Sequence, residues 1–338
     1  MKLRAGLSRL QTEDLGARVP SLSVGPEAQS VQGGSDCSRE LDSLRARMSQ
    51  MRRSRSRKKK KGGATGLTDA GMSQDSKRYN VPGEVVQTKW GDLQRVVWNF
   101  CNDDRHGEFP IGGALAVGGE GAAHLATDEA LGEFDPRSAL FIDTETTGLA
   151  GGSGTIPFLI GIGFYTEEGF RVEQLILTQL GEEKPLLQYL GQKIAEATSL
   201  VSFNGKSYDW PLLRTRFVMN RVEVPSLPPH FDLLHAARRV LKYRLAQTKL
   251  TILEREVLHF YRVGDIPGAD IPERFFRFLR TGDGGLLTEV VEHNRHDIVT
   301  MSAFLGVLHG YVYMSAGEID ARVQLAVAQL KMRMQDSE

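Results

Sequence analysis

Cysteine is scarce in this 338-residue sequence, which contains only Cys37 and Cys101. Neither cysteine belongs to a C-x-x-C pair of the kind that binds zinc or performs thiol redox chemistry, and no disulfide partner is expected. Long apolar runs are also lacking: the first 20 residues have no signal-peptide core, and no later stretch has the length of a membrane-spanning helix. The composition therefore predicts a protein of the reducing cytoplasm, without membrane insertion.

Glycine motifs that cradle phosphates are missing as well. Residues 107–133 contain many glycines and alanines, but their spacing does not follow a strand with a tight turn before a helix. This pattern excludes a dinucleotide-binding interpretation. It predicts loop or irregular structure, as part of an irregular lead-in over residues 86–136.

Net charge is absent too, since 42 Lys and Arg balance 42 Asp and Glu, but the charge is unevenly distributed. Residues 1–90 contain 18 basic against 9 acidic residues, and eight of the ten residues from Arg52 to Lys61 (RRSRSRKKKK) are basic. Residues 1–85 have few aromatics and no sustained apolar period, so most of this region is predicted to be disordered. The basic tract, residues 52–61, is either a solvated charge run or a flexible arm that gathers phosphates through counterion release.

A regular pattern of elements begins at residue 137. The bulky runs at residues 139–143, 158–165 and 170–177 predict three antiparallel strands, and residues 200–203 predict a buried fourth strand after a helix at 185–196. Helical spacing then predicts helices at residues 211–220, 233–245, 250–260, 272–280, 286–312 and 316–334. This order predicts an α/β domain at residues 137–312, followed by a C-terminal helix within residues 313–338.

Acidic residues follow two of these predicted strands and lie on the long helix. Asp143 and Glu145 end the first strand, where residues two apart point to the same face. Asp209 follows the fourth strand, and Asp297 lies on the predicted helix at 286–312. His293 precedes Asp297 by one helical turn, so these two side chains share a face.

Four carboxylates that converge without compensation repel one another, and divalent cations remove this repulsion. Hard oxygen ligands suit Mg²⁺ or Mn²⁺, and two such ions about 3.5 to 4 Å apart suit the hydrolysis of a phosphodiester. A histidine within reach of the attacking water is a candidate general base, which assigns this role to His293.

The segments FIDTETTGL, SFNGKSYDWPLL and HNRHDIVTM resemble, in this order and spacing, the three motifs of the DEDD (DnaQ-like) exonuclease group of the ribonuclease H-like superfamily. The segments ETTGLAGGSGTIPFLIGIGF, HFDLLHAARR and DIPGADIPERFFRFLRTGD are similar to the YprB-type ribonuclease H-like subfamily. The resemblance covers about residues 137–310 and leaves the N-terminal third of the chain outside it.

This resemblance implies a mixed five-stranded sheet flanked by helices, and two metal ions on Asp143, Glu145, Asp209 and Asp297. It also implies a 3′–5′ exonuclease that acts on DNA or RNA. In the better-known relatives, a tyrosine four positions before the last Asp or a histidine five positions before it completes the site. Here His293 stands four positions before Asp297, which leaves the general base open.

Five polar residues near the motifs are candidate substrate-binding residues. Thr146 and Thr147 continue the first motif, and Asn204, Lys206 and Tyr208 belong to the second. For Asn204 the alternative is a turn residue between a strand and a helix.

Two further polar residues have competing interpretations. Asp232 is either a fifth carboxylate near the site or the N-cap of the next helix, and the cap is preferred. His296 points well away from the face of Asp297 and is expected to be a surface or packing residue.

Three other functions compete with a metal-dependent exonuclease. The first is a nucleic-acid-binding module of the same fold with little or no catalysis, and the second is an endonuclease that cuts internally. The third is a phosphatase of the haloacid dehalogenase type, which is disfavoured because it needs an aspartate where this chain has Glu145. No short motif indicates whether the substrate is DNA or RNA, in which direction it would be degraded, or what the oligomeric state is.

Overall fold

A mixed β-sheet forms the centre of the computed structural model, which describes residues 78–148, 154–314 and 319–335. The predictions for residues 1–77, including the disorder and the basic tract, lie outside the described residues, as does Cys37. Cys101 is a free, half-buried cysteine.

The strands of the described residues fall into one large sheet and one short hairpin. They are β1 (Glu84–Thr88), β2 (Gly91–Phe100), β3 (Arg105–His106), β4 (Phe109–Pro110), β5 (Ala139–Thr146), β6 (Pro157–Thr166), β7 (Gly169–Ile176), β8 (Ser199–Ser202) and β9 (His230–Asp232). The large sheet has seven strands in the order β1-β2-β7-β6-β5-β8-β9, and β3 pairs with β4. The pairs β5–β8 and β8–β9 are parallel, and the other pairs of the large sheet are antiparallel.

The predicted α/β fold is confirmed, with five strands in the order β7-β6-β5-β8-β9 and two more at one edge. The two extra strands, β1 and β2, lie in the segment that was expected to be irregular, and that expectation is wrong there. Glycine-rich residues 107–133 also contain a helix. Residues 94–100 of β2 pair with residues 170–176 of β7. This pairing satisfies backbone groups at the edge of β7 that would otherwise lack partners, which explains why a half-buried strand forms at this position.

Eight helices are found among the described residues, together with short 3₁₀ segments. They are α1 (Gly119–Ala126), α2 (Glu183–Glu196), α3 (Asp209–Met219), α4 (Leu233–Leu241), α5 (Leu250–Leu253), α6 (Ile271–Thr281), α7 (Thr288–Tyr313) and α8 (Ala321–Gln335). The helix expected at residues 250–260 stops earlier and continues as a π-helical turn, Glu254–Leu258. No helix among these is long and apolar enough to cross a membrane.

The helices cover both faces of the sheet, and β5 shows how the faces are divided. Phe141 is buried in a cluster with residues of α4 and α7, such as Ile298 and Phe304. Leu140 and Ile142 are buried in a second cluster with residues of α2, α3 and α6. Because side chains alternate along a strand, Asp143 and Glu145 lie on the same face as Phe141, toward α7.

Candidate active site

The carboxyl ends of the three parallel strands meet at one edge of the sheet, and the predicted motifs follow these ends. Asp143 and Glu145 stand at the end of β5, and Asp209 begins α3 after β8. Asp297 lies on α7, which packs against β5 and β6. Thr144 Oγ1 donates a hydrogen bond to Asp209 Oδ1, which ties the start of α3 to β5.

The pKa values show that these carboxylates form one cluster. Burial raises the pKa of Asp143 well above its usual range, and the charges of Asp297, Asp209 and Glu145 raise it further. The pKa of Glu145 rises for the same reasons, with burial again the largest cause. Burial also raises the pKa of Asp209 to about 6, against the hydrogen bond from Thr144, which lowers it. Like charges that raise one another's pKa in this way repel one another, and a bound cation would relieve this repulsion.

Buried amides hold Asp143 in place. Asn294 Nδ2 donates to Asp143 Oδ2 at 2.8 Å, and Gln174 Nε2 donates to Asn294 Oδ1 at 2.9 Å. Trp98 Nε1 then donates to Gln174 Oε1 at 2.8 Å. Asn294 and Gln174 are fully buried. This series of hydrogen bonds therefore connects Asp143, through Asn294 of α7, to Gln174 of β7 and Trp98 of β2. Sequence reasoning missed Asn294, although it stands next to His293 in the third motif.

An arginine that sequence reasoning missed is bound to Asp297. Arg262 donates to Asp297 Oδ1 and to both carboxylate oxygens of Glu254, and it lies 3.2 Å from Asp265 Oδ2. Burial lowers the pKa of Arg262, but Asp297 and Glu254 outweigh burial and raise it, so the guanidinium stays charged. Arg262 therefore orients Asp297 through one of its two oxygens and compensates part of the negative charge.

His293 stands between this arginine network and the carboxylates. Its Nδ1 lies 2.8 Å from Asp265 Oδ1, and its Nε2 lies 3.5 Å from Asp297 Oδ2. Ligand atoms of Glu145, His293 and Asp297 all lie within 4.8 Å of one another. Sequence analysis did not predict a role for Asp265. Its only sequence signal is that it begins the segment DIPGADIPERFF, which is part of the family resemblance.

Comparison with known proteins identifies the family. Residues 140–308, half of the chain, match the family model RNase_H_2 of the RNase_H superfamily. The chain belongs to the RNase_H superfamily. The matched segment contains Asp143, Glu145, Asp209, His293 and Asp297, whereas β1 and β2 lie outside it.

One relative and one solved structure are similar to this chain. The chain is 37% identical over 184 residues to the "Uncharacterized protein YprB" of Bacillus subtilis (strain 168), so its RNase H-like domain is similar to that of YprB. That match covers 54% of this chain and 43% of the relative, so the chain spans less than half of the relative's length. The family B DNA polymerase of Pyrobaculum calidifontis is similar at a TM-score of 0.42 and 15% identity, over 57% of this chain and 26% of the polymerase.

In this RNase H-like domain, the second motif forms a loop that Asp232 holds. The backbone N–H groups of Asn204 and Lys206 donate to the two oxygens of Asp232 at 2.7 and 3.2 Å. Asp232 also accepts from the backbone N–H of Leu234 at 3.1 Å, which confirms the predicted N-cap of α4. Asn204 has a φ of 69°, a left-handed conformation that asparagine tolerates well in turns.

The predicted substrate-binding side chains differ in their surroundings. Thr146 donates to the carbonyl of Gly148, and Thr147 accepts from the backbone N–H of Ile156, so both hydroxyls bond within the β5–β6 connection. The Lys206 ammonium lies 3.6 Å from Asp128, and the Tyr208 ring is 62% exposed. Of the five candidates, Lys206 and Tyr208 are exposed, and Asn204 lines an adjoining cavity.

That cavity has a volume of about 680 Å³ and lies beside the second motif. It is lined by Phe203 and Asn204 of the motif loop and by the basic residues Arg238, Lys242 and Lys249. Arg238 and Lys242 lie within the helix predicted at residues 233–245, which the sequence did not relate to the site.

The packing role expected for His296 is confirmed. The centre of its ring lies 5.1 Å from that of Phe260 and 6.0 Å from that of His106. Burial, Arg295 and Arg262 lower its pKa to about 2, so the ring is neutral at physiological pH.

Proposed function

We propose that this protein is a metal-dependent nuclease that hydrolyses phosphodiester bonds of DNA or RNA, and that it acts as a 3′–5′ exonuclease. The observation that carries this proposal is the partly buried cluster of Asp143, Glu145, Asp209 and Asp297 within the RNase_H superfamily match. The order of the three motifs, which resembles that of the DEDD exonucleases, supports the exonuclease class and its polarity.

The donor set of the cluster fits two divalent ions. Asp143, Glu145, Asp209 and Asp297 would hold them, and oxygen donors of this kind suit Mg²⁺ or Mn²⁺. Such ions, when bound, polarise the phosphate and supply a nucleophile at neutral pH. Asn294 keeps Asp143 oriented and Arg262 keeps Asp297 oriented, so two of the ligands are preorganised. His293 takes part in catalysis beside Asp297.

Nucleic acid would approach over the second motif and the cavity beside it. Arg238, Lys242 and Lys249 offer positive charge to phosphates, and the exposed Tyr208 ring offers a surface on which a base stacks. Asn204, Lys206, Thr146 and Thr147 remain our candidate contacts around the scissile phosphate. The basic tract, residues 52–61, would add affinity without sequence choice.

We also propose the division of the chain into a basic N-terminal region, the nuclease domain at residues 137–312 and a C-terminal segment. The scarcity of cysteine supports a cytoplasmic protein.

A second candidate is a nucleic-acid-binding module with little or no turnover. The observation in its favour is the bond from Arg262 to Asp297, because a guanidinium on a metal ligand competes with the cation for that carboxylate. Under this alternative, the protein binds single strands but cleaves no bond with any metal.

The test uses single-stranded DNA and RNA labelled at the 5′ or the 3′ end, together with a covalently closed circle, in Mg²⁺, Mn²⁺ or EDTA. The proposal predicts a ladder from the 5′-labelled strand, early loss of the 3′ label, an intact circle, and no product in EDTA. Cleavage of the circle contradicts the exonuclease class. Intact substrates with retained binding favour the binding module.

A further inference from the structure

His293 has one ring nitrogen bound to a carboxylate and the other directed at the carboxylate cluster. Nδ1 lies 2.8 Å from Asp265 Oδ1, whereas Nε2 lies 3.5 Å from Asp297 Oδ2. The His293 side chain is 14% exposed and that of Asp265 is 20% exposed, so both have little access to water. The two nitrogens therefore have separate partners and separate roles.

The bond to Asp265 decides which nitrogen carries the hydrogen. An ionised carboxylate only accepts, so Nδ1 is the donor in this bond. Arg262 Nη1 also lies 3.3 Å from Nδ1, but it has a second acceptor in Asp265 Oδ2. In the neutral ring Nε2 then carries a lone pair, and Asp297 Oδ2 lies 3.5 Å from this nitrogen.

The distances suit one cation between these three side chains. Two ligands of one ion, each at about 2.1 Å, lie at most about 4.2 Å apart. The 3.5 Å between His293 Nε2 and Asp297 Oδ2 falls inside this limit. All three ligand atoms lie within 4.8 Å, so a shift of a few tenths of an ångström brings the set to coordination distance.

Arg262 supports this arrangement from the other side of Asp297. It donates to Asp297 Oδ1, which leaves Oδ2, the oxygen nearest His293, free to bind a cation. Asp265 and Arg262 also contact each other, so the two supporting residues form one unit. Metal-binding histidines usually donate their second N–H to a carboxylate in this manner.

We infer that His293 Nε2 is a direct metal ligand together with Glu145 and Asp297, and that Asp265 is the positioning residue that orients its ring. The inference rests on the metal cluster of the proposed function and replaces the general-base role expected for His293. An imidazole ligand favours transition-metal ions over Mg²⁺. This site therefore binds Mn²⁺ more tightly than Mg²⁺.

The test is pulsed EPR on the full-length chain loaded with Mn²⁺, without substrate. A nitrogen bound directly to Mn²⁺ gives a ¹⁴N modulation in the echo decay. Uniform replacement of histidine by ¹⁵N-histidine changes the modulation to that of ¹⁵N, which identifies an imidazole without any substitution. Bound Mn²⁺ that shows no nitrogen coupling overturns the inference.

Variants assign the nitrogen to one residue. His293→Gln removes the coupling and raises the Kd for Mn²⁺ by about tenfold or more, with a smaller effect on the Kd for Mg²⁺. Asp265→Asn keeps the coupling and raises the Kd for Mn²⁺ by about 10- to 100-fold. His309→Gln is the matched control, because it lies on the same helix about 24 Å farther along, and it leaves both constants unchanged. Coupling that survives in His293→Gln contradicts the assignment.

Failure of the inference and failure of the proposed function give different results. Bound Mn²⁺ without nitrogen coupling, in a protein that cleaves nucleic acid, overturns His293 ligation and keeps the nuclease. Nitrogen coupling in a protein that cleaves nothing keeps His293 ligation and overturns the nuclease. A chain that binds no Mn²⁺ at all overturns both.

Discussion

At the scale of single residues, the carboxylates are held by neighbours that are far away in the sequence. Asp143 depends on Asn294, and Asp297 depends on Arg262. The acidic residues themselves were predictable, because residues two apart in a strand share a face and because motif order resembles a known group. The roles of Arg262 and Asp265 were not predictable, because these residues contact His293 and Asp297 only when the segment after the π-helical turn folds against α7.

Replacement of Asn294 by leucine tests its supporting role. Asn294→Leu keeps the branched shape of the side chain but leaves Asp143 and Gln174 without their amide partner in a fully buried position. We expect the free energy of unfolding in urea to fall by about 1 to 3 kcal/mol. Gln192→Leu, an exposed amide on α2, should change it by less than about 0.5 kcal/mol. Equal stabilities of the two variants would contradict the role of Asn294.

Repulsion and burial within the carboxylate cluster predict that the free energy of unfolding of the metal-free protein depends on pH. The pKa of Asp209 is about 6 in the folded protein against an ordinary value of 3.8, because of burial. Between these pH values the folded state binds more protons than the unfolded state, so the free energy of unfolding falls as pH rises from about 4 to about 6. The loss is complete above the folded pKa and amounts to at most about 3 kcal/mol, since the carboxyl group keeps some contact with solvent.

Asp209→Asn removes this cost. In EDTA, the variant should be more stable than the wild type at pH 7 and equally stable at pH 4, as measured by urea unfolding at both pH values. Asp92→Asn, an exposed residue of β2, serves as the control and should have little effect at either pH. A variant that is no more stable than the wild type at pH 7 contradicts the account of the cluster.

At the scale of elements, α7 reaches the site because glycines let it approach its neighbours. Gly161 of β6 stands opposite Asp143, and a Cβ at Gly161 would lie 2.1 Å from Asn294 Oδ1. On another side of α7, a Cβ at Gly306 would lie 2.5 Å from the backbone of Gly113. The first contact brings the Asn294 side chain unusually close to β6, and the second brings the backbone of α7 unusually close to Gly113.

Gly161→Ala should therefore disturb the site through the packing of β6 on α7. The amide of Asn294 has no room to withdraw, because Asp143 and Gln174 hold it on both sides. We expect a loss of about 1 to 3 kcal/mol in the free energy of unfolding and a reduced nucleolytic rate. Gly268→Ala, where a Cβ meets nothing within 4 Å, should stay within about 1 kcal/mol of the wild type. Wild-type stability of Gly161→Ala would show that the contact is not tight.

Sequence patterns predicted the elements whose periodicity is strong and missed those that depend on pairing. The strands β5 to β8 and the long helix α7 were found within a few residues of their ends. β1 and β2 were missed because many of their side chains are exposed or half-buried and because the strands form by pairing, β2 with β7 and β1 with β2. β9 has three residues, too few for any period, and α1 is masked in the sequence by its glycines and alanines.

At the scale of the whole molecule, charge separates the basic N-terminal region from the acidic remainder. Replacement of the basic residues in the tract 52–61 by glycine and serine should weaken binding to single-stranded DNA at low salt. The slope of log K against log salt concentration should fall by about 0.7 for each phosphate that the altered tract no longer neutralises. Fluorescence anisotropy at several salt concentrations measures both the affinity and the slope. An unchanged slope would show that the tract binds no phosphates.

The central claim is that the carboxylate cluster of this RNase_H superfamily domain hydrolyses phosphodiester bonds. Its most direct test is the initial rate of cleavage of a single-stranded oligonucleotide in Mn²⁺ by the wild type and by Asp143→Asn, purified in parallel. The account predicts metal-dependent release of nucleotides by the wild type and a rate at least about a thousandfold lower for the variant, equal to a loss of about 4 kcal/mol of transition-state stabilisation. Equal rates for the two proteins, or no cleavage by the wild type, would contradict it.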